Sequence, residues 1–130
     1  MLDSFEIFAI VPASPKEVYS AWLDSDAHTN MTGGRAEASP AKGATFTAWD
    51  GYILGTNLEL EANHRIVQAW RTSEFPDGSA DSRLEVVLEE VDGGTKVTLR
   101  HSMIPEGQGA SYQQGWAEHY FEPMKRYFSR

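Results

Sequence analysis

The chain has 130 residues, a length that fits one domain with a core large enough to fold without staples. It has no cysteine, which excludes disulfides, a thiolate nucleophile and cysteine-based zinc or iron–sulfur sites, and suits a reducing, cytoplasmic setting. A formal charge of −8 without a basic run argues against a nucleic-acid backbone or an anionic membrane surface as partner.

Met1 to Glu6 lacks a basic region followed by an apolar one, so no signal peptide is read there. No later stretch is long and apolar enough for membrane insertion. Phe5 to Val11 is an apolar, β-prone run stopped by Pro12, and a strand is predicted. Ser14-Pro15-Lys16-Glu17 then supplies an N-cap serine, a proline at the first helical position and a glutamate three residues after the cap, the pattern of a capping box. Val18, Ala21 and Trp22 follow at helical spacing, and a second short helix from about Asp26 is expected to stop at Gly33-Gly34.

From Arg35 the period changes from helical to two. Phe46 and Ala48 alternate with Thr45, Thr47 and Trp49; Leu58, Leu60 and Ala62 alternate with Glu59 and Glu61. Ile66 to Thr72, Leu84-Val86-Leu88 and Val97-Leu99-His101 continue the strand pattern. Turns are marked by Asp50-Gly51, Asn63-His64, Pro76-Asp77-Gly78 and Asp92-Gly93-Gly94. The Phe46 and Leu84 segments are read as edge strands able to pair across a dimer, although acidic flanks on the second favour a monomer.

The end of the chain is its most patterned part. On a helix, Trp116, Ala117, Tyr120, Phe121, Met124, Tyr127 and Phe128 fall within an arc of roughly 140°. Gln113 shares that arc, while Glu118, His119, Glu122, Lys125 and Arg126 take the other side. Pro123 removes the hydrogen bond to His119 and is expected to kink this helix so that it follows the sheet. The whole order is strand, two helices, about six antiparallel strands and one long helix: an α+β domain over residues 1–130.

That order resembles the helix-grip fold of START lipid-transfer domains and the birch-pollen-allergen superfamily. Ser14-Pro15-x-Glu17-x-Tyr19, Asp50-Gly51 with Gly55, Ile66-Val67-x-x-Trp70-Arg71, Pro76-x-Gly78, Ile104-Pro105 and Gly115-Trp116-x-x-x-Tyr120-Phe121-Glu122 occur in order. This collinear set resembles the C-terminal domain of the activators of the Hsp90 ATPase. The resemblance implies a curved antiparallel sheet of six to seven strands wrapped around the terminal helix, and co-chaperone activity toward a heat-shock ATPase. Exposed apolar residues near Met31 and Ile104 are the places where such a partner would dock.

Chemistry-bearing patterns are few. His28, His64, His101 and His119 show no metal-ligand spacing, and the glycine pairs lack the context of phosphate loops, so neither metal nor cofactor is expected. Glu118 and Glu122 lie one turn apart on the polar arc, and with Glu59, Glu61, Glu85 and Glu89 they read as solvated carboxylates. His101 shares the inward strand face of Val97 and Leu99. It is either a core histidine held by a hydrogen bond or a polar group on a cavity wall. Three functions follow: binding of an apolar or aromatic small molecule between sheet and helix, with Trp70, His101, Trp116, Tyr120, Phe121 and Met124 as the wall; docking on a chaperone ATPase; or an enzyme of the cyclase or hydrolase kind built on His101.

Overall fold

The computed structural model describes residues 1–129. Strand β1 (Asp3–Val11) leads into α1 (Pro15–Trp22) and α2 (Ser25–Thr32), followed by β2 (Thr45–Ala48), β3 (Ile53–Glu61), β4 (Arg65–Thr72), β5 (Ser82–Val91) and β6 (Gly94–Ile104). The capping box at Ser14 forms as the sequence dictates: Glu17 N–H donates to Ser14 Oγ, and Ser14 N–H donates to the Glu17 carboxylate, both at 3.1 Å. Helix α2 starts one residue earlier than expected because Asp24 caps it, its carboxylate accepting from Ala27 N–H at 2.9 Å. Gly33 ends it with φ of 89°, the left-handed conformation that glycine adopts without steric cost.

The six strands form one antiparallel sheet in the order β1-β6-β5-β4-β3-β2. The Phe46 strand, β2, is therefore an edge, but the Leu84 strand, β5, lies inside the sheet, and the other edge is β1. Sequence periodicity reports which face a residue takes and not its strand's place in the order, which is why Leu84 was misplaced. Loop residue Glu37 bridges to Thr47 and covers part of the β2 edge.

Strand β3 departs from its expected alternation. The pairing with β4 slips between Asn57 and Glu59, so Leu58 bulges outward and is exposed. The inward face is Ile53, Gly55 and Asn57, and Asn57 is buried because its amide is fully used. Its Nδ2 donates to the Ser39 and Ala41 carbonyls at 2.8 and 3.0 Å, and its Oδ1 accepts from Gln68 Nε2 at 2.9 Å. Met31 and Ile104 themselves are 2% and 0% exposed and belong to the core, while Met103, beside Ile104, is 49% exposed. Further solvent-facing apolar side chains include Phe8 and Ile10 on the outer face of β1 and Leu54 on β3.

The outer sheet face also corrects the view of its glutamates as merely solvated. A row of alternating charge crosses five strands: Glu6 on β1 meets Arg100 on β6 at 2.7 Å, and Arg100 meets Glu85 on β5 at 3.4 Å. Glu85 then meets Arg65 on β4 at 2.5 Å, and Arg65 meets Glu59 and Glu61 on β3 at 3.2 and 3.0 Å. Glu85, at the centre, is buried between its two arginines. Burial alone would raise its carboxyl pKa, but the hydrogen bonds and charge of Arg65 and Arg100 hold it below the usual carboxylate value.

The terminal helix runs from Gly109 to Phe128 in three parts: α3 (Gly109–Trp116), a π-helical turn (Ala117–Phe121) and α4 (Glu122–Phe128). Glu122 N–H donates to the Ala117 carbonyl five residues back, so one extra residue is wound in just before Pro123. The proline, whose ring has no N–H to give, is thus absorbed behind a π-turn in an uninterrupted helix. Its buried face is Trp116, Tyr120, Phe121, Pro123 and Met124; Tyr127 and Phe128 are half-buried. Ala117 and Gln113 are exposed, against the expected arc. They line a cleft beside Ile7 and Phe8 of β1, where the alanine methyl is too short to close the gap.

Candidate functional site

Every fourth residue along the terminal helix points into one aromatic cluster: Tyr112, Trp116, Tyr120 and then Met124. From the sheet side β4 contributes Trp70 and β6 contributes His101, and from the helical pair come Trp22 and His28. Trp116 sits at the centre, with ring centroids 5.6 Å from Trp70, 6.1 Å from Trp22 and 4.6 Å from Tyr120. Trp70 meets Tyr112 edge-on at 5.1 Å and His101 edge-on at 4.6 Å.

Two buried histidines bolt the helix down. Trp116 Nε1–H donates to His101 Nδ1 at 3.1 Å. That bond requires Nδ1 to be unprotonated, so the proton is on Nε2, which donates to Ser82 Oγ at 2.8 Å; the Ser82 hydroxyl in turn donates to the Trp70 carbonyl at 2.7 Å. Every polar atom in this chain is satisfied once, in one direction. Burial lowers the His101 pKa to about 3, which keeps the ring neutral. On the other side His28 Nδ1–H donates to the Trp22 carbonyl at 2.8 Å, and Nε2 accepts from the Tyr120 hydroxyl at 2.8 Å. Burial lowers the His28 pKa, against the raising effect of its carbonyl partner, and raises that of Tyr120.

One flank of this cluster opens into a groove of about 550 Å³ between the β2–β3 turn, β4 and the terminal helix. Its floor is Trp70, Tyr112, Trp116 and Tyr120, each less than 8% exposed. Trp49 and Tyr52 from the turn form one wall, and Gln114, Glu118 and His119 from the helix form the other. Trp49 lies against Gly34, where an added Cβ would stand 2.4 Å from the indole, and meets His119 edge-on at 5.4 Å. Its Nε1 is buried and has no hydrogen-bond partner among the described residues. At the far end Tyr112 O–H donates to Gln108 Oε1 at 2.7 Å, and the Thr72 hydroxyl lies 2.7 Å from the same phenol.

Of the expected wall residues, Trp70, Trp116 and Tyr120 reach the groove. His101 and Met124 do not: they are 1% and 0% exposed and fill the space between sheet and helix, so the gap there is packed solid. Phe121 points to the opposite flank, into the cleft beside β1. Tyr112, Trp49, Tyr52 and His28 went unrecognised. The four-residue spacing Tyr112-Trp116-Tyr120-Met124 was the available signal for the first; nothing local marks the other three.

An open antiparallel sheet closed by one long terminal helix, with two short helices after the first strand, defines a helix-grip domain. Within that class the chain belongs to the family described as Activator of Hsp90 ATPase homolog 1-like protein, whose model matches residues 12–129. It is 26% identical over 115 residues to the human activator of 90 kDa heat shock protein ATPase homolog 1, an alignment covering 88% of this chain and 34% of that protein. The second mouse homologue is 23% identical over 110 residues, covering 85% of this chain and 33% of that protein. The chain thus spans about a third of the length of the curated relatives it matches. Among solved structures, an Hsp90 activator from Plasmodium falciparum superposes with a TM-score of 0.84 at 26% identity, over 95% of this chain and 94% of that one. The Aha1 dimer from Colwellia psychrerythraea matches in fold, with a TM-score of 0.74 at 19% identity over 88% of each chain. Among the described residues no helix is long and apolar enough to cross a membrane.

Proposed function

We propose that residues 1–130 act as one non-enzymatic, cytoplasmic binding domain that takes an apolar or aromatic small molecule in the groove beside the terminal helix. The observation that carries this is the groove floor, four aromatic rings held rigid by packing and by hydrogen bonds behind them. Burial of ligand surface at roughly 25 cal/mol per Å² supplies the affinity, and the polar wall residues set orientation. A two-dimensional NMR titration with fatty acids, sterols and flavonoid-like aromatics tests it. The Trp70 and Trp116 indole signals should shift saturably; a spectrum unmoved by the panel overturns the reading. The enzyme reading was built on His101, and His101 lies behind Trp116 with both ring nitrogens engaged.

A second reading, stimulation of an Hsp90-type ATPase by a monomeric domain, is favoured by the family match and by the printed names of the relatives. Phe8 and Ile10, 60% and 49% exposed on the outer face of β1, are the docking residues this reading selects. The expected result is faster ATP hydrolysis by purified chaperone on addition of the protein, and a weaker effect with Phe8→Ser. No change at saturating protein counts against it.

A further inference from the structure

The charge and ring content of the groove narrow what it would hold. Six Trp and Tyr side chains line it, Trp49, Tyr52, Trp70, Tyr112, Trp116 and Tyr120, and the ionisable side chains on its wall are the Glu118 carboxylate and the His119 imidazole, which packs edge-on against Trp49. No lysine or arginine lines it among the described residues. Gln114 Nε2 donates to Glu118 at 2.8 Å, a neutral contact that positions the carboxylate and leaves its charge in place. A second carboxylate stands behind the rim, where Glu74 accepts from the Tyr52 hydroxyl.

Aromatic faces present the negative side of their quadrupole, and a cation over them gains electrostatic energy that a neutral group of the same shape does not. Glu118 and Glu74 add field of the same sign, and the whole chain, at −8, adds more. Among the described residues an anion entering the groove meets no lysine or arginine. An uncharged ligand gains apolar burial alone. We propose that the ligand of this groove is an organic cation, a tertiary or quaternary ammonium carried on an apolar or aromatic body. The body would lie on the floor of Trp70 and Trp116, and the ammonium at the Glu118 end. This rests on the reading of the groove as a small-molecule site.

The test compares three probes on isotope-labelled protein at about pH 8, where free histidines are neutral: benzyltrimethylammonium, its uncharged carbon isostere neopentylbenzene, and benzylsulfonate. The ammonium should saturate the Trp70 and Trp116 indole shifts at roughly tenfold lower concentration than the isostere, and the sulfonate should bind more weakly than either. Raising salt, or the exposed-site change Glu118→Gln, should cut the ammonium's advantage to about a third, because part of it is electrostatic. Equal affinity for ammonium and isostere overturns the cation preference while leaving the groove a ligand site. Sulfonate binding as tight as ammonium binding does the same. If no probe moves either indole, both the preference and the small-molecule reading fall.

Discussion

Acid should unfold this protein through its interior before its surface carboxylates titrate. His101 is 1% exposed and accepts the Trp116 indole proton on Nδ1, so protonating it removes that bond and buries a charge against the rings of Phe5, Trp70, Tyr112 and Trp116. Its folded pKa of about 3 lies far below the value of about 6.5 expected in the unfolded chain. Between those limits the unfolded state binds one more proton than the native state. Stability is therefore complete above pH 6.5 and falls as pH drops, with a slope of about 1.4 kcal/mol per pH unit. From pH 6.5 to 4.5 His101 alone costs about 3 kcal/mol, a large part of the roughly 5–15 kcal/mol that holds a domain together. His28, lowered in the same direction, adds to the loss. Glu85, whose folded pKa is depressed, contributes only lower down, as pH falls through the carboxylate range. Urea unfolding at pH 7, 5.5 and 4.5 measures the slope, and His101→Gln, though less stable throughout, should flatten it by about one proton's worth. Stability that stays level or rises from pH 6.5 to 4.5 would refute the neutral, bonded histidine.

Three further outcomes follow from the same contacts. Tyr120→Phe removes the hydroxyl that His28 Nε2 accepts from and should cost about 1–3 kcal/mol in urea midpoint analysis, whereas Tyr120→Ala, which also empties a core site, should cost about 3–5 kcal/mol. Glu85→Ala leaves Arg65 and Arg100 facing each other across β5; because both arginines are partly in solvent, the expected loss in urea unfolding is about 1–3 kcal/mol and shrinks at high salt, which screens the charges. Gly34→Ala drives a methyl into the Trp49 indole and should displace it, costing about 1–3 kcal/mol and shifting the Trp49 indole N–H signal. An unshifted Trp49 would mean that the turn, and not Gly34, sets the groove wall.

Much of the fold was legible because local signals agreed with one another. The Ser14 box, Gly33, the strand alternation and the aromatic stripe of the last helix each dictate a local state that the sheet then uses. What escaped was what depends on partners distant in sequence. Leu58 and Glu59 read as one alternating run until β4 imposes its register, and Glu85 reads as a wet carboxylate until Arg65 and Arg100 arrive from neighbouring strands. His28 gives no sign in its helix that Tyr120, 92 residues on, will need an acceptor.

The candidate site follows the same division. Trp116 and Tyr120 were recognised from helical spacing, but the same spacing also placed Phe121 and Met124, and strand alternation placed His101, on one common wall. Helical phase fixes direction and not depth. His101 and Met124 point at the terminal helix's contact with the sheet and are consumed by it; Phe121, on another side of the helix from Trp116, faces β1. The groove is left where the sheet edge stops short of the helix, and its wall comes from Trp49 and Tyr52, on a turn whose backbone bends through left-handed Trp49 and Asp50, φ 51° and 59°. A binding surface in this fold is thus set by how far the β2–β3 turn reaches toward the terminal helix, while the residues between sheet and helix hold the two together.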